Sequence, residues 1–399
     1  MATIAPAHVP PELIVDFDLY DPPGADVDFH GAWKALQDGA PDIVWTTANG
    51  GHWLALRGEP IQTIFTDHAH FSSKVIIVPR ERGDKIKVLP TTLDPPRHRP
   101  YRALLNAGLS PRAVRDSEPG IRALVADTIE GFRARGHCDF VADFAEILPL
   151  TIFMRLVDLP VADIQALKPW ADQINRPDGS IEPDEVMARF ADYLRPHIRA
   201  RRATPGDDLL SRIVTGHVNG KELPEDEAIE LCTQVLIGGM DTVVSFLGFM
   251  MLFLARNPGH RRQLVEKPKL IPAAVEEFLR RFPIVQNGRL VVSDYEFRGV
   301  AMKAGDVVIM PGVLHGLDDR IHADPLAVDF KRPRGTHSTF GNGAHHCPGA
   351  MLARAELRLT LEEWLARIPD FAVPDDDPPV MQGGIVGCVL RLPLCWAPS

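Results

Sequence analysis

Cysteine is scarce in this chain of 399 residues. There are five, Cys138, Cys232, Cys347, Cys388 and Cys395, an odd number with no Cys-x-x-Cys spacing. A disulfide framework is therefore not expected, and the thiols read as free in a reducing, cytoplasmic setting. Positive charge is in the minority: 43 lysines and arginines stand against 53 aspartates and glutamates, a formal net charge of −10. That balance argues against nucleic acid or an anionic membrane as a partner of the whole surface. No repeat and no Gly/Ser linker divides the chain, and its 36 prolines are spread along it. One domain over 1–399 is expected, with 1–12 a flexible Pro-rich arm. The N-terminus has no basic segment followed by an apolar core, so it reads as neither signal peptide nor anchor.

Long apolar runs are also nearly absent. The one exception is 231–255, LCTQVLIGGMDTVVSFLGFMMLFLA. It is long enough to span a bilayer, but Gln234, Gly238-Gly239 and Asp241 lie near its middle, where a charge is costly in lipid. A helix buried through a large soluble protein is the better reading. Helical patterns recur at 29–38, 58–66, 97–108, 111–134, 139–157, 161–175, 183–202, 206–215, 224–255, 258–267, 269–281, 310–316 and 349–367. Strand-like pieces are WLAL (53–56), RLVV (289–292), YEFRGVAM (295–302), DVVIM (306–310) and the tail around 385–392, with a hairpin or bend at Lys303–Asp306. The fold class is mainly α, with small sheets to one side.

Chemistry concentrates in residues 340–350, F-G-N-G-A-H-H-C-P-G-A. A lone cysteine is most often a buried structural residue. A zinc site would need His345, His346 and Cys347 to converge from consecutive positions, and no second ligand cluster lies at zinc spacing. The surrounding residues favour a different ligand role. Gly341, Gly343 and Gly349 let backbone approach a flat partner, Phe340 offers an aromatic face, and the helix starting just beyond Cys347 can aim free N–H groups at a thiolate. Such a loop can press sulfur against a planar metal complex such as haem.

This stretch resembles the haem-binding signature of the cytochrome P450 family, Phe-x-x-Gly-x-x-x-Cys-x-Gly. Glu277-Phe278-Leu279-Arg280, ending 67 residues before Cys347, resembles that family's Glu-x-x-Arg element, and Gly238-Gly239-Met240-Asp241-Thr242 resembles its oxygen-activation groove. The resemblance runs nearly end to end and points to the soluble bacterial class typified by the camphor-hydroxylating enzyme. It implies haem b buried between the central helix and the cysteine loop, with Cys347 as iron ligand. Thr242 becomes the hydroxyl facing dioxygen, Asp241 a proton relay, and Glu277–Arg280 a structural ion pair. LDPPRHRPYR (93–102) and QNGR (286–289) imply haem contacts at His98, Arg102 and Arg289, joined by Phe340, His345 and Gly349. ADQINRPDGS (171–180) implies that Lys168, Asp172 and Arg176 support a proton gate at Asp241.

The departures from that class bear on the substrate. Ile86 stands where the camphor enzyme carries its ketone-binding tyrosine, Ile77 replaces an upstream pocket aromatic, and Asn287 replaces an aspartate beside the haem-binding arginine. The remaining pocket positions are Thr91, Asn175, Gln234, Ile237, Gly238, Val285 and Ile385, a mainly apolar set, with Gln234 and Asn175 able to supply replacement hydrogen bonds. The implied reaction is hydroxylation of a small terpenoid or ionone-like norisoprenoid by O2, with electrons from a [2Fe–2S] ferredoxin and its NAD(P)H-dependent reductase. The ferredoxin would dock on Arg99, Arg102 and Arg334 of a monomer. Two other readings are a peroxide-using or fatty-acid hydroxylase of the same fold and a non-enzymatic haem-thiolate sensor or carrier. The Asp241-Thr242 pair speaks against both.

Overall fold

The computed structural model describes residues 4–333 and 335–398. The fold is mainly helical, and the described residues also form four two-stranded sheets and one six-stranded sheet, the latter ordered Ile14–Val15, Ile43–Thr46, His52–Ala55, Val307–Pro311, Gln286–Val291 and Phe71–Ser72. Val307–Pro311 is buried at every position. It runs parallel to His52–Ala55 and antiparallel to Gln286–Val291, with Val308 opposite Arg289. This register carries Arg289 into the interior. Ile43–Thr46 was not expected as a strand. All four of its residues are buried, so no alternating pattern betrays it.

The helices that frame the site begin at recognisable signals. Pro111–Arg133 opens with proline after Ser110, whose Oγ accepts from the Ala113 N–H at 3.3 Å. It packs along Ala350–Arg367, the helix that follows Cys347, which in turn touches Ile271–Arg281.

The span expected as one helix over 224–255 is two, Glu225–Met240 and Thr242–Arg256, because Asp241 leaves helical geometry at φ −134° and ψ −37°. Two glycines weaken the ladder just before the break, and ion pairing pulls the Asp241 carboxylate sideways. Gly239 has no alternative, since a Cβ there would lie 2.2 Å from Phe153 Cδ2. By length and composition Glu225–Arg256 could cross a membrane, but 72% of its most apolar window is buried inside the protein.

Other expectations need correction. The 139–157 helix splits into a π-helical turn Val141–Ala145 and Leu148–Leu156, with Pro149 in the first turn of the latter. YEFRGVAM is a hairpin, Tyr295–Phe297 against Val300–Met302. Its turn places Arg298 and Gly299 at φ 54° and 80°, values that suit a tight hairpin turn. Of the two forms expected at Lys303–Asp306, hairpin or bend, the structure has the bend, which joins this ribbon to the larger sheet. The 310–316 stretch stays extended to Pro311, leaving a short helix Gly312–His315. Within the arm read as flexible, Val9 is buried and His8 Nε2 lies 3.0 Å from Asp306 Oδ2.

Candidate active site

Cys347 stands between a 3-10 helical turn, Gly343–His345, and the helix Ala350–Arg367. Gly341 and Gly343 have φ 66° and 67°, a region that favours glycine, and a Cβ on Gly343 would lie 3.1 Å from Thr66 Cγ2. The loop is thus pressed onto the helix Gly58–Thr66. Its closure is fixed by the Cys347 N–H donating to the Phe340 carbonyl at 2.8 Å. Burial pushes the thiol up. The backbone N–H groups of Gly349 and Ala350 and the guanidinium groups of Arg102 and Arg354 oppose that push. Gly349 keeps the space beside sulfur open: a Cβ there would meet only Sγ, at 3.8 Å. Arg354 was not expected here. It lies 4.6 Å over the Phe340 ring and pairs with Glu276 at 2.7 Å, bracing the loop from the helix behind it.

Next to the loop is a cationic cradle. Arg289 is buried and donates to the Gly288 carbonyl at 2.8 Å. Burial lowers its pKa to about 10, against the pull of Asp94. Its guanidinium sits 5.5 Å over the Phe65 ring. The His98 ring is buried with neither nitrogen hydrogen-bonded, and its centroid is 4.3 Å from that of His345. His345 Nε2 is 3.1 Å from Ser73 Oγ. Burial, then Arg289, His98 and Arg102, drives His345 down to about 3. Arg102 bonds Asn106 Oδ1 at 2.9 Å and the His346 carbonyl. Asp94 is itself held by Ser72 Oγ and the Ser73 N–H, at 2.5 and 2.7 Å. Arg289 and His98 feel the Asp94 carboxylate, and His345 feels Arg289, His98 and Arg102, so two guanidinium groups and two imidazoles form a linked cluster that suits an anionic ligand edge.

The acid–alcohol pair lies at the helix break. Asp241 is buried and accepts from Arg176 Nη1 and Nη2 at 2.8 and 2.7 Å, from Asn175 Nδ2 at 3.0 Å and from Ser245 Oγ at 3.2 Å. Arg176 also reaches Asp172 at 3.0 Å and the Val386 carbonyl at 2.9 Å, and Lys168 bonds Asp172 at 2.8 Å. Burial works against the charge of Arg176, but Asp241 outweighs it and the guanidinium is raised. Thr242 Oγ1 donates to the Gly238 carbonyl at 3.1 Å. Gly238 is exposed in a helix that is otherwise mostly buried, and a Cβ there would meet only Gln234 Nε2, at 3.7 Å. Gln234, Gly238 and Thr242 thus form one stripe facing open space.

Glu277 and Arg280 pair at 2.8 Å, both buried. Arg280 also donates to the carbonyls of Gly316, Pro325 and Ala327, each within 2.8 Å. Glu277 accepts from the Asp329 N–H at 3.0 Å and from Arg332 Nε at 3.2 Å. The pair therefore ties down the non-helical chain that feeds the cysteine loop. Arg332 is a third member that no local spacing announces.

The expected pocket residues fall into two groups. Ile77, Ile86, Ile237 and Ile385 are buried, and Thr91, Gln234 and Val285 are half-buried. Asn175 is not free to donate to a ligand in the way expected: its side-chain Nδ2 donates to Asp241 at 3.0 Å, while its backbone carbonyl separately accepts from the Ile385 N–H at 3.0 Å. Thr91 and Gln234 make no side-chain hydrogen bond among the described residues. From the N-terminal segment, Tyr20 reaches the 74–90 loop, donating to the Val78 carbonyl at 2.6 Å. On the outer side of Cys347 a groove of about 280 Å³ is lined by Arg102, Asn106, His346, Cys347 and Met351. Arg99 is exposed nearby in sequence, and Arg334 lies outside the described residues.

A thiol faced by helix N–H groups, two guanidinium groups beside a single carboxylate, and a glycine groove at a broken helix together suit a planar metal complex with anionic edges. Fold and site thus define a haem-thiolate oxygenase. Sequence comparison agrees: a Cytochrome P450 profile matches residues 156–392, and the chain belongs to that family. It resembles the crystal structure of CYP101J2, with 45% identity, a TM-score of 0.92, and 99% of this chain and 100% of that one covered. It also resembles that of cytochrome P450 CYP101C1, with 42% identity, a TM-score of 0.90 and the same coverage. Among curated proteins, probable cytochrome P450 127A1 of Sinorhizobium fredii is 33% identical over 98% of this chain and 97% of its own. The erythromycin C-12 hydroxylase of Saccharopolyspora erythraea is 36% identical over 82% and 84%. The protein is a P450 monooxygenase of the CYP101 type, and its cofactor is haem b.

Proposed function

We propose that the protein hydroxylates a C–H bond of a small, mainly aliphatic terpenoid or ionone-like norisoprenoid, using O2 and electrons from a [2Fe–2S] ferredoxin served by an NAD(P)H-dependent reductase. We place it in the cytoplasm as a monomer. Haem held at this site supplies oxygen activation, with thiolate donation favouring O–O cleavage. Cys347 holds the iron, Arg102, Arg289, His98 and His345 hold the propionates, and Phe340 and Gly349 pack beside the ring. Thr242 presents its hydroxyl by exchanging its bond to the Gly238 carbonyl. Asp241 passes protons when Arg176, poised by Asp172 and Lys168, lets its carboxylate move. The ferredoxin is acidic and docks over the Arg102 groove with Arg99 at its edge, where complementary charge steers encounter.

One observation carries the substrate class. The stripe Gln234–Gly238–Thr242 borders open space, and the isoleucines and valine of the pocket carry no polar group. A ligand there must be largely hydrocarbon, and Gln234 and Thr91 are the side chains left to meet a lone oxygen. Titration of the ferric protein with ionones, monoterpenes, camphor and fatty acids tests this through the Soret spin-state shift. Ionones or oxygenated monoterpenes other than camphor are expected to give large shifts. A preference for fatty acids refutes the terpenoid assignment, and a preference for camphor refutes the reading that Ile86 leaves its ketone without a donor.

A further inference from the structure

Two buried histidines outside the cysteine loop grip the segment that leads into it. His322 Nε2 is 2.8 Å from the Thr336 carbonyl and donates to it. Its ring is so close to the backbone that a Cβ on Gly335 would lie 2.5 Å from Cε1. His315 Nδ1 is 2.7 Å from Ser338 Oγ, and Ser338 donates to Asn342 Oδ1 at 2.5 Å. The serine proton is committed to Asn342, so His315 Nδ1 must be the donor, which selects one tautomer. Asn342 sits between the two left-handed glycines of the cysteine loop. His315 ends the short helix that continues the strand Val307–Pro311, the strand paired with Arg289. A continuous chain of hydrogen bonds and backbone thus connects the sheet carrying Arg289 to the turn carrying the thiol.

We propose that His315 and His322 are positioning residues for the haem thiolate. They clamp Thr336–Asn342, and through Asn342 they fix the turn that sets Cys347 relative to the Arg289 side of the cradle. Neither ring acts on the reacting atoms. Both are uncharged at neutral pH: burial brings His315 down to about 4 and lowers His322. The groups facing them are Asp318, Arg280, Arg332 and Glu277, together with each other. The role rests on Cys347 as the iron ligand, which the wild-type spectrum tests by itself.

The test uses haem-loaded protein with His315→Ala, His322→Ala, Ser338→Ala and His315→Asn. The last keeps a donor near the Nδ1 position. Amide hydrogen exchange is followed over 336–347. The ferric–ferrous midpoint potential and the thiolate-type Soret band of the ferrous carbonyl form are read as urea is raised. His315→Ala and Ser338→Ala are expected to speed exchange in this segment about tenfold and to lose the thiolate band at lower urea, with a shifted potential. His322→Ala should do the same around Thr336, and His315→Asn should restore most of the loss. Ser338→Ala leaves the histidine packing in place, so it decides the matter if His315→Ala does not fold. Wild-type exchange and band in Ser338→Ala overturn the proposal, as does His315→Asn behaving like His315→Ala. A wild-type protein with no thiolate band refutes the Cys347 assignment and this role with it.

Discussion

Replacing Arg176 with methionine keeps most of the side-chain bulk and removes the charge. In the native protein the guanidinium makes four hydrogen bonds, two of them to Asp241. After substitution the buried Asp241 carboxylate keeps only the Asn175 amide and the Ser245 hydroxyl. Breaking a buried ion pair from one side costs about 3–5 kcal/mol, because the remaining charge is left uncompensated. For a chain of 399 residues, an unfolding entropy of about 0.8 kcal/mol per degree converts this to a fall in Tm of about 4–6 °C. Calorimetry or circular dichroism on haem-loaded protein gives the number. The double variant Arg176→Met/Asp241→Asn removes the stranded charge and should recover most of the loss, so the two substitutions must be strongly non-additive. A fall in Tm below about 1 °C, or additive losses in the double variant, would refute the argument that Arg176 neutralises Asp241.

Thr242→Ala should leave NAD(P)H consumption running while product falls and peroxide accumulates; full coupling in this variant removes Thr242 from oxygen handling. Gln234→Leu should weaken binding of an oxygenated ligand about fivefold, one ordinary hydrogen bond, and leave its deoxygenated analogue unaffected in the same spin-shift titration. Acid stability offers a test away from the site. His52 is fully buried, neither ring nitrogen is hydrogen-bonded, and burial lowers it to about 4 against the opposing pull of Asp18 and the Ala48 carbonyl. The unfolded chain takes up this proton near pH 6.5, so the stability is complete above about pH 6.5 and is lost as pH falls toward about 4. At about pH 5 the loss is about 2 kcal/mol. His52→Phe should show a flatter decline of Tm between about pH 7 and about pH 5, and an unchanged decline would show that His52 is not the responsible group.

Local signals made much of the site readable. Cys347 announces itself because sharp turns, an aromatic residue and a helix start all crowd around one soft ligand. Glu277–Arg280 is readable because i and i+3 share a helix face. Arg332 is not, since its partnership with Glu277 spans 55 residues, with strands and a short helix between. Ser73 and Asp94 do not announce themselves either: the pairing of Phe71–Ser72 with Gln286–Val291 brings Ser73 to His345, and Ser72 and Ser73 then hold Asp94. Apolar periodicity continues on both sides of Asp241 and hides the break in the central helix. No sequence pattern tells a free Asn175 amide from one bonded to a carboxylate 66 residues away.

The engagement of the Asn175 side chain limits how this enzyme can change. Its Nδ2 is given to the Asp241 carboxylate, so altering it to suit a new ligand would disturb the proton route proposed through Asp241 at the same stroke. The side chains of Gln234, Thr91 and Val285 make no hydrogen bond among the described residues. Shifts in substrate range are therefore expected to accumulate at those three positions, whether by natural drift or in a laboratory library, while Asn175 stays fixed with Arg176 and Asp241.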